Sequence, residues 1–170
     1  KLPGGYYPSS YSTKITVGGL PVAQFGSSLQ YLLKYPHGCL EQTTSRAFPL
    51  LYLSALAADK EGQWITKDEL DEYVNHGVNR LMTMLLGQRG FSYWPGGHWG
   101  YSWSSIYATH FLVEAKKAGY EVPKASLALA LAHLRQIGRA QRVSTYRNAG
   151  VTQRAQAYAL YVLALAKSPL

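Results

Sequence analysis

A single cysteine in 170 residues rules out an internal disulfide, and one sulfur cannot build a thiolate metal site. The histidines do not make up the shortfall. His37, His76, His98, His110 and His133 show no ligand spacing with one another or with Cys39, so no metal and no cofactor is expected. No apolar run is long enough to cross a bilayer without charges or glycines breaking it. Acidic residues are scarce as well: 9 Asp and Glu stand against 17 Lys and Arg, for a net charge of +8. Much of that surplus comes late, at Arg135, Arg139, Arg142, Arg147 and Arg154. These arginines lie in loop-like sequence with no interleaved row of aromatics and no nucleic-acid module. They read as a solvated face, and no nucleic-acid partner is expected.

What is present suits a folded domain. Apolar residues make up 47% of the chain, and the length allows a sizeable core. There is no initiator Met, and the end, "YALYVLALAKSPL", reads as cut just after an apolar helix. The chain is therefore expected to be a piece of something larger, with any signal or anchor segment outside it.

The opening residues differ from the rest. "YYPSSYSTKITVGGLP" alternates small polar and β-branched residues between glycine and proline, which suggests a strand and a turn. Residues 1–22 are expected to belong to a neighbouring β-domain or linker, and residues 23–170 to a helical one. A short helix at roughly Gly26–Lys34 should stop at the Tyr35-Pro36 step. Another follows the cysteine to about Ala58, with Pro49 kinking it or marking a first turn. Thr66 and Glu69 form a capping box, and Leu70, Tyr73, Val74, Leu81 and Leu85 then fall on one stripe up to Leu86. The loop "GQRGFSYWPGGHWGYSW" leads to a helix at about Ser104–Ala118, closed by Gly119. Pro123 opens a helix with Leu127, Leu131, Leu134 and Ile137 on one face and Gly138 at its end. After a loop containing Asn148 and Gly150, the last helix starts from Thr152.

The helices near 44–58, 104–118 and 152–166 are apolar on nearly all sides, while those near 66–86 and 123–137 are amphipathic. "SSIYATHFLVEAKKAG" and "VTQRAQAYALYVLALA" also occupy equivalent places in successive helix pairs. The alternation predicts an all-α fold of stacked helical hairpins, forming a solenoid or an arc of a closed α/α ring.

Four readings compete for Cys39. A free cysteine is commonly a small buried hydrophobe. A thiol protease or acyl transferase needs a histidine oriented beside the sulfur, and none stands in such a context; His110 and His133 read as satisfied helix-face residues. Zinc lacks a ligand set. The fourth reading turns on Gln42, three residues on, where two side chains on one helical turn can lean together. The sulfur can then attack the glutamine carbonyl, expel ammonia and leave an internal thioester. Gly38 would let the backbone come close without a Cβ in the way, and Glu41 would sit against the helix dipole and satisfy free backbone N–H groups. The spacing alone does not choose among the four.

The wider stretch "PHGCLEQTTSRAFPLLYL" resembles the thioester signature of the alpha-2-macroglobulin and complement family, whose core is Gly-Cys-x-Glu-Gln. Those positions are Gly38, Cys39, Leu40, Glu41 and Gln42. Tyr35-Pro36 before the motif, Pro49 after it and the later "GFSYWPGG" extend the likeness. Leu40 stands where animal members usually have glycine, and Cys-Leu-Glu-Gln looks like the bacterial branch. The resemblance covers roughly Phe25 to the end. It implies the N-terminal half of an α/α-toroid thioester domain, and an inhibitor rather than an enzyme. It also implies a trap whose thioester, Cys39 to Gln42, is attacked by a lysine of a target protease after a bait segment elsewhere is cut. Partners would be those proteases and other domains of the same chain. The location would be the periplasm, tethered to the inner membrane as a lipoprotein through an anchor outside these residues. A dry aromatic wall would protect such a bond. Tyr35, Tyr93, Trp94, Trp99 and Trp103 are candidates, with hairpin-to-hairpin packing the alternative for each. Two rivals remain. One is an α/α-toroid enzyme of the terpene-cyclase or prenyltransferase type, faintly suggested by "QRGFSYWPGG". Its acidic cluster is wanting, because Asp68, Glu69, Asp71 and Glu72 crowd one helix start. The other is a helical-repeat module binding an acidic partner.

Overall fold

In the computed structural model, residues 38–53, 66–141 and 151–170 are described. Expectations for residues 1–37, including the leading strand, the first helix, His37 and Tyr35, lie outside them. So do those for residues 54–58 and for the loop with Arg142, Arg147, Asn148 and Gly150.

The described residues are all-α, as the hydrophobic periodicity predicts. Five helices follow one another: α1 (Leu40–Leu53), α2 (Lys67–Met82), α3 (Ser102–Lys117), α4 (Lys124–Gly138) and α5 (Gln153–Leu165), with a 3-10 turn at Gly87–Arg89. None is long and apolar enough to cross a membrane.

Local chemistry accounts for several of their ends. Thr66 caps α2 by accepting from the Glu69 N–H, and the Glu69 carboxylate accepts from the Thr66 N–H at 2.8 Å, the reciprocal capping box expected from the sequence. Thr152 caps α5 by accepting from the Ala155 N–H at 3.2 Å. At the end of α3, Gly119 takes φ 95°, a conformation costly for a residue with a Cβ. Its N–H reaches the Lys116 carbonyl while the Tyr120 N–H reaches Ala115, the paired bonds of a Schellman stop.

Of the two readings of Pro49, the one that puts it inside the helix holds: α1 runs through it. The N–H that proline lacks would have served the Ser45 carbonyl, and both residues face outward, where water can serve instead. Helix α2 stops at Met82, short of Leu86. The Thr83 hydroxyl donates to the Arg80 carbonyl at 2.7 Å, and Leu85 leaves the helix to pair with Phe91 in an isolated antiparallel bridge.

Packing arranges the helices in two layers. Helix α3 packs against α1 on one side and α5 on the other; α2 lies on α1, and α4 lies on α5 and α3. Helix α3 buries Ser104, Ser105, Ile106, Ala108, Thr109, Phe111, Leu112, Val113 and Ala115, as a helix apolar on all sides must. The same expectation fails for α1 and α5. Each covers α3 with one face and leaves Tyr52 or Tyr161 exposed on another. The amphipathic helices behave as read, with one exchange. In α2 the buried stripe is Leu70, Val74, Gly77, Val78 and Leu81, while Tyr73 faces out.

Gly77 sets the α1–α2 spacing, since a Cβ built there would lie 2.6 Å from the Ala47 Cβ. Neither methyl can rotate away. We expect Gly77→Ala to force the helices apart and cost a net ~1–2 kcal/mol, overpacking outweighing the better helix propensity. Denaturant unfolding measures this, and a stabilised variant would show that the crossing is looser than described.

Candidate functional site

Helix α1 begins at the cysteine. The Cys39 carbonyl accepts the first helical bond, from the Thr43 N–H at 2.9 Å, which makes Cys39 the N-cap and Gln42 the third residue of the helix. The Cys39 N–H donates to Gln42 Oε1 at 3.2 Å. This is half of a capping box, with Gln42 in the place of the usual glutamate and Cys39 in the place of the usual serine or threonine. The thiol thus stands where a capping hydroxyl would, on the same turn as the amide that reaches back to it.

Gly38 lies directly before this turn and is buried. A Cβ there would come within 3.0 Å of the Gln42 Cβ and 3.4 Å of the Thr43 N, so the close approach expected of this glycine is present. The Thr43 hydroxyl donates to the Gly38 carbonyl at 3.3 Å, and the Thr44 hydroxyl to the Leu40 carbonyl at 2.8 Å. Cys39 is half-buried; Glu41 and Gln42 are exposed.

Glu41 sits in the first turn, as expected, but its carboxylate does not cap the backbone. Its Oε1 accepts from the Ser104 hydroxyl at 2.7 Å and from the Tyr93 hydroxyl at 3.3 Å, and those two oxygens are 3.1 Å apart. The reason is positional. Gln42 already occupies the Cys39 N–H, and Glu41 points at the first turn of α3, where Ser104 stands. Tyr93 touches the motif a second time, because its carbonyl accepts from the Leu40 N–H at 2.9 Å. Ser104 carried no sequence signal: a hydroxyl in the first turn of a helix is ordinary, and only the fold brings it to a glutamate 63 positions away.

Among the described residues, the tryptophans expected to form an aromatic wall are exposed. Trp94, Trp99 and Trp103 are 55%, 79% and 51% exposed, and Trp103 instead packs on Tyr158 with ring centroids 5.3 Å apart. Tyr93 is half-buried against Tyr101, 4.2 Å between centroids. Nor do the acidic residues of α2 make a cation site. Glu69 caps its own helix, Asp71 pairs with Lys67 and accepts from the Tyr120 hydroxyl at 2.7 Å, and no metal-holding group occurs among the described residues.

The A-macroglobulin TED domain matches residues 13–165. The chain belongs to that family. Alpha-2-macroglobulin of Escherichia coli K12 is 33% identical over 122 residues, 69% of this chain and 7% of the relative. Salmonella alpha-2-macroglobulin, solved after reaction with methylamine, superposes with a TM-score of 0.66 at 30% identity, over 86% of this chain and 10% of that one. The E. coli protein activated by porcine elastase gives 0.64 at 29%, over 80% and 13%. The chain thus spans less than a tenth of the length of the curated relatives it matches.

Two histidines away from the motif are satisfied in different degrees. His110 Nδ1 lies 2.9 Å from the Tyr158 hydroxyl, with Phe48 and Tyr161 edge-on to its ring. Burial pushes His110 down from its usual pKa and Tyr158 up to about 12. His133 Nδ1 meets the Gln88 carbonyl at 3.1 Å, while its Nε2 is buried without a partner, and burial lowers its pKa too. For a depressed histidine the unfolded chain takes up the proton first. Stability is then full above the unfolded pKa of about 6.5 and is lost as pH falls through the folded one. We expect unfolding free energy to fall as pH drops below about 6.5, and to fall less in His133→Gln. Denaturation across that range checks this; an identical slope in the variant would remove His133 from the account.

Proposed function

We propose that Cys39 and Gln42 condense into an internal thioester, and that the chain is the acylating element of a protease trap. The observation that carries the reading is the capping geometry itself: the Cys39 N–H holds Gln42 Oε1 at 3.2 Å on the turn that bears the thiol. An N–H donating to a carbonyl oxygen polarises its carbon and stabilises the oxyanion of a tetrahedral intermediate. The helix N-terminus adds its partial positive charge at the same place.

Condensation proceeds by attack of Sγ on Cδ of Gln42. The C–N bond breaks, the amide nitrogen leaves as ammonia carrying the thiol proton, and a C–S bond remains. In capture, a lysine amine of the protease attacks the same carbon. The C–S bond breaks, the sulfur leaves with a proton from the amine, and an isopeptide bond joins Gln42 to the target. The same N–H serves both intermediates. Each molecule reacts once, so the chain acts as an inhibitor rather than as an enzyme.

Relatives support this reading. One was solved after reaction with methylamine, a small amine of the kind that opens a thioester, and another after activation by elastase. Within this reading, residues 23–170 would supply the first half of an α/α-toroid thioester domain, and residues 1–22 would belong to an adjacent β-domain or linker. The bait segment, the domains that rearrange on cleavage and a periplasmic lipid anchor would lie elsewhere in the longer protein.

The test is the intact mass of the natural protein that carries these residues. We expect it to be lighter than its sequence by one ammonia. Methylamine should add to it and free one titratable thiol, and Cys39→Ala should abolish both changes. Gly38→Ala should leave most molecules at full mass, since its new methyl displaces the Gln42 side chain. An undiminished mass, with a thiol already reactive before methylamine, would refute the proposal.

A further inference from the structure

We infer that Tyr93 is a positioning residue for the thioester, gripping the first turn of α1 through its carbonyl and its phenol together, with Ser104 as the second point of the grip. The inference rests on the thioester reading and adds to it what holds the reacting pair in register.

Helix ends fray, because their first N–H groups lack intrahelical partners. A sulfur and an acyl carbon must nonetheless be held near reacting distance if condensation is to outrun competing hydrolysis. The bonds inside the turn, from Cys39 to Gln42 and from Thr43 to Gly38, travel with it and do not anchor it to the domain. Anchoring falls to two residues between the reacting pair. The Leu40 N–H is held by the Tyr93 carbonyl at 2.9 Å, and the Glu41 carboxylate by the hydroxyls of Ser104 and Tyr93.

Tyr93 is itself fixed. Next to it, the Ser92 N–H donates to the Met84 carbonyl at 2.9 Å, and the Ser92 hydroxyl bonds the Trp94 carbonyl at 2.7 Å. Phe91, wholly buried, donates its N–H to the Ser105 hydroxyl at 2.8 Å. The grip therefore ties the reactive turn to the end of α2 and the start of α3. Once capture breaks the C–S bond, the turn loses its internal staple and this grip remains.

The experiment uses the natural full-length protein with Tyr93→Phe and Ser104→Ala, singly and together. Ser104→Thr and Glu41→Gln are conservative controls, Glu41→Ala removes the acceptor, and Ile137→Val in α4 controls for general loosening. Three quantities are read: the fraction carrying the bond by intact mass, the rate of its spontaneous loss, and the melting temperature. Each lost hydroxyl should speed spontaneous loss about fivefold, the scale of one hydrogen bond, and Glu41→Ala should match the double variant. Ser104→Thr and Glu41→Gln, which keep a hydroxyl and an acceptor oxygen, should stay within about twofold of wild type. Unchanged rates in Tyr93→Phe and Ser104→Ala would overturn the inference. So would Glu41→Gln failing as badly as Glu41→Ala, or Ile137→Val reproducing the effect. A wild-type protein without the bond would instead bring down the thioester reading itself, and this inference with it.

Discussion

The hydrogen bond from the Cys39 N–H to Gln42 Oε1 is what the site is built around. Any helix must find acceptors for its first N–H groups, and a side chain at the third position reaching back to the cap is a common solution. Here the acceptor is an amide carbonyl rather than a carboxylate, and the capping atom opposite is sulfur rather than oxygen. Both exchanges matter chemically. A carboxylate is a poor acyl donor, and a hydroxyl is a weaker nucleophile than a thiolate. Gly38 completes the arrangement by letting the preceding backbone lie where a methyl would strike the Gln42 side chain. In the proposed reading, a structural cap and a latent electrophile are the same few atoms.

The rest of the fold can be understood as what keeps that turn in place. Helix α1 is backed by α2 through the close contact at Gly77 and by α3 through Phe48 and Phe111, whose rings meet edge to face at 5.8 Å. The loop from Phe91 to Tyr101 is drawn across the start of α1 and held to both α2 and α3. Among the described residues the motif is therefore braced from two helices and a loop, all of them distant in sequence.

That distance explains what the sequence disclosed and what it did not. The caps at Thr66 and Thr152 and the stop at Gly119 were legible because each is decided by residues within a turn of one another. The layering of hairpins followed from hydrophobic periodicity, and Cys39 and Gln42 from a local motif. Glu41's partners were not legible. Tyr93 and Ser104 lie 52 and 63 positions away, and nothing nearby marks a serine at a helix start as a partner for a glutamate. The burial of α1 and α5 was overestimated for a related reason. Periodicity reports how much of a helix is apolar, not how many neighbours it has, and among the described residues α3 packs against each of the other four helices. Tyr73 shows the same limit at one residue, for a tyrosine at helical spacing can face water as readily as the core.

Alignment and protection are separable demands on the proposed acyl group, and this chain answers them unequally. Alignment is met by the cap, the close glycine and the paired hydroxyls on Glu41. Protection requires that water be kept from the acyl carbon, yet Gln42 is exposed, and Trp94, Trp99 and Trp103 each keep more than half their surface in solvent. Large aromatic side chains left in water are surface that gains by being covered. A thioester here would last as long as something lies over Gln42 and Trp94, and would become available when that cover moves. Timing would then reside in the covering surface and chemistry in the turn, so that cleavage at a remote site could arm the group without altering any bond that aligns it.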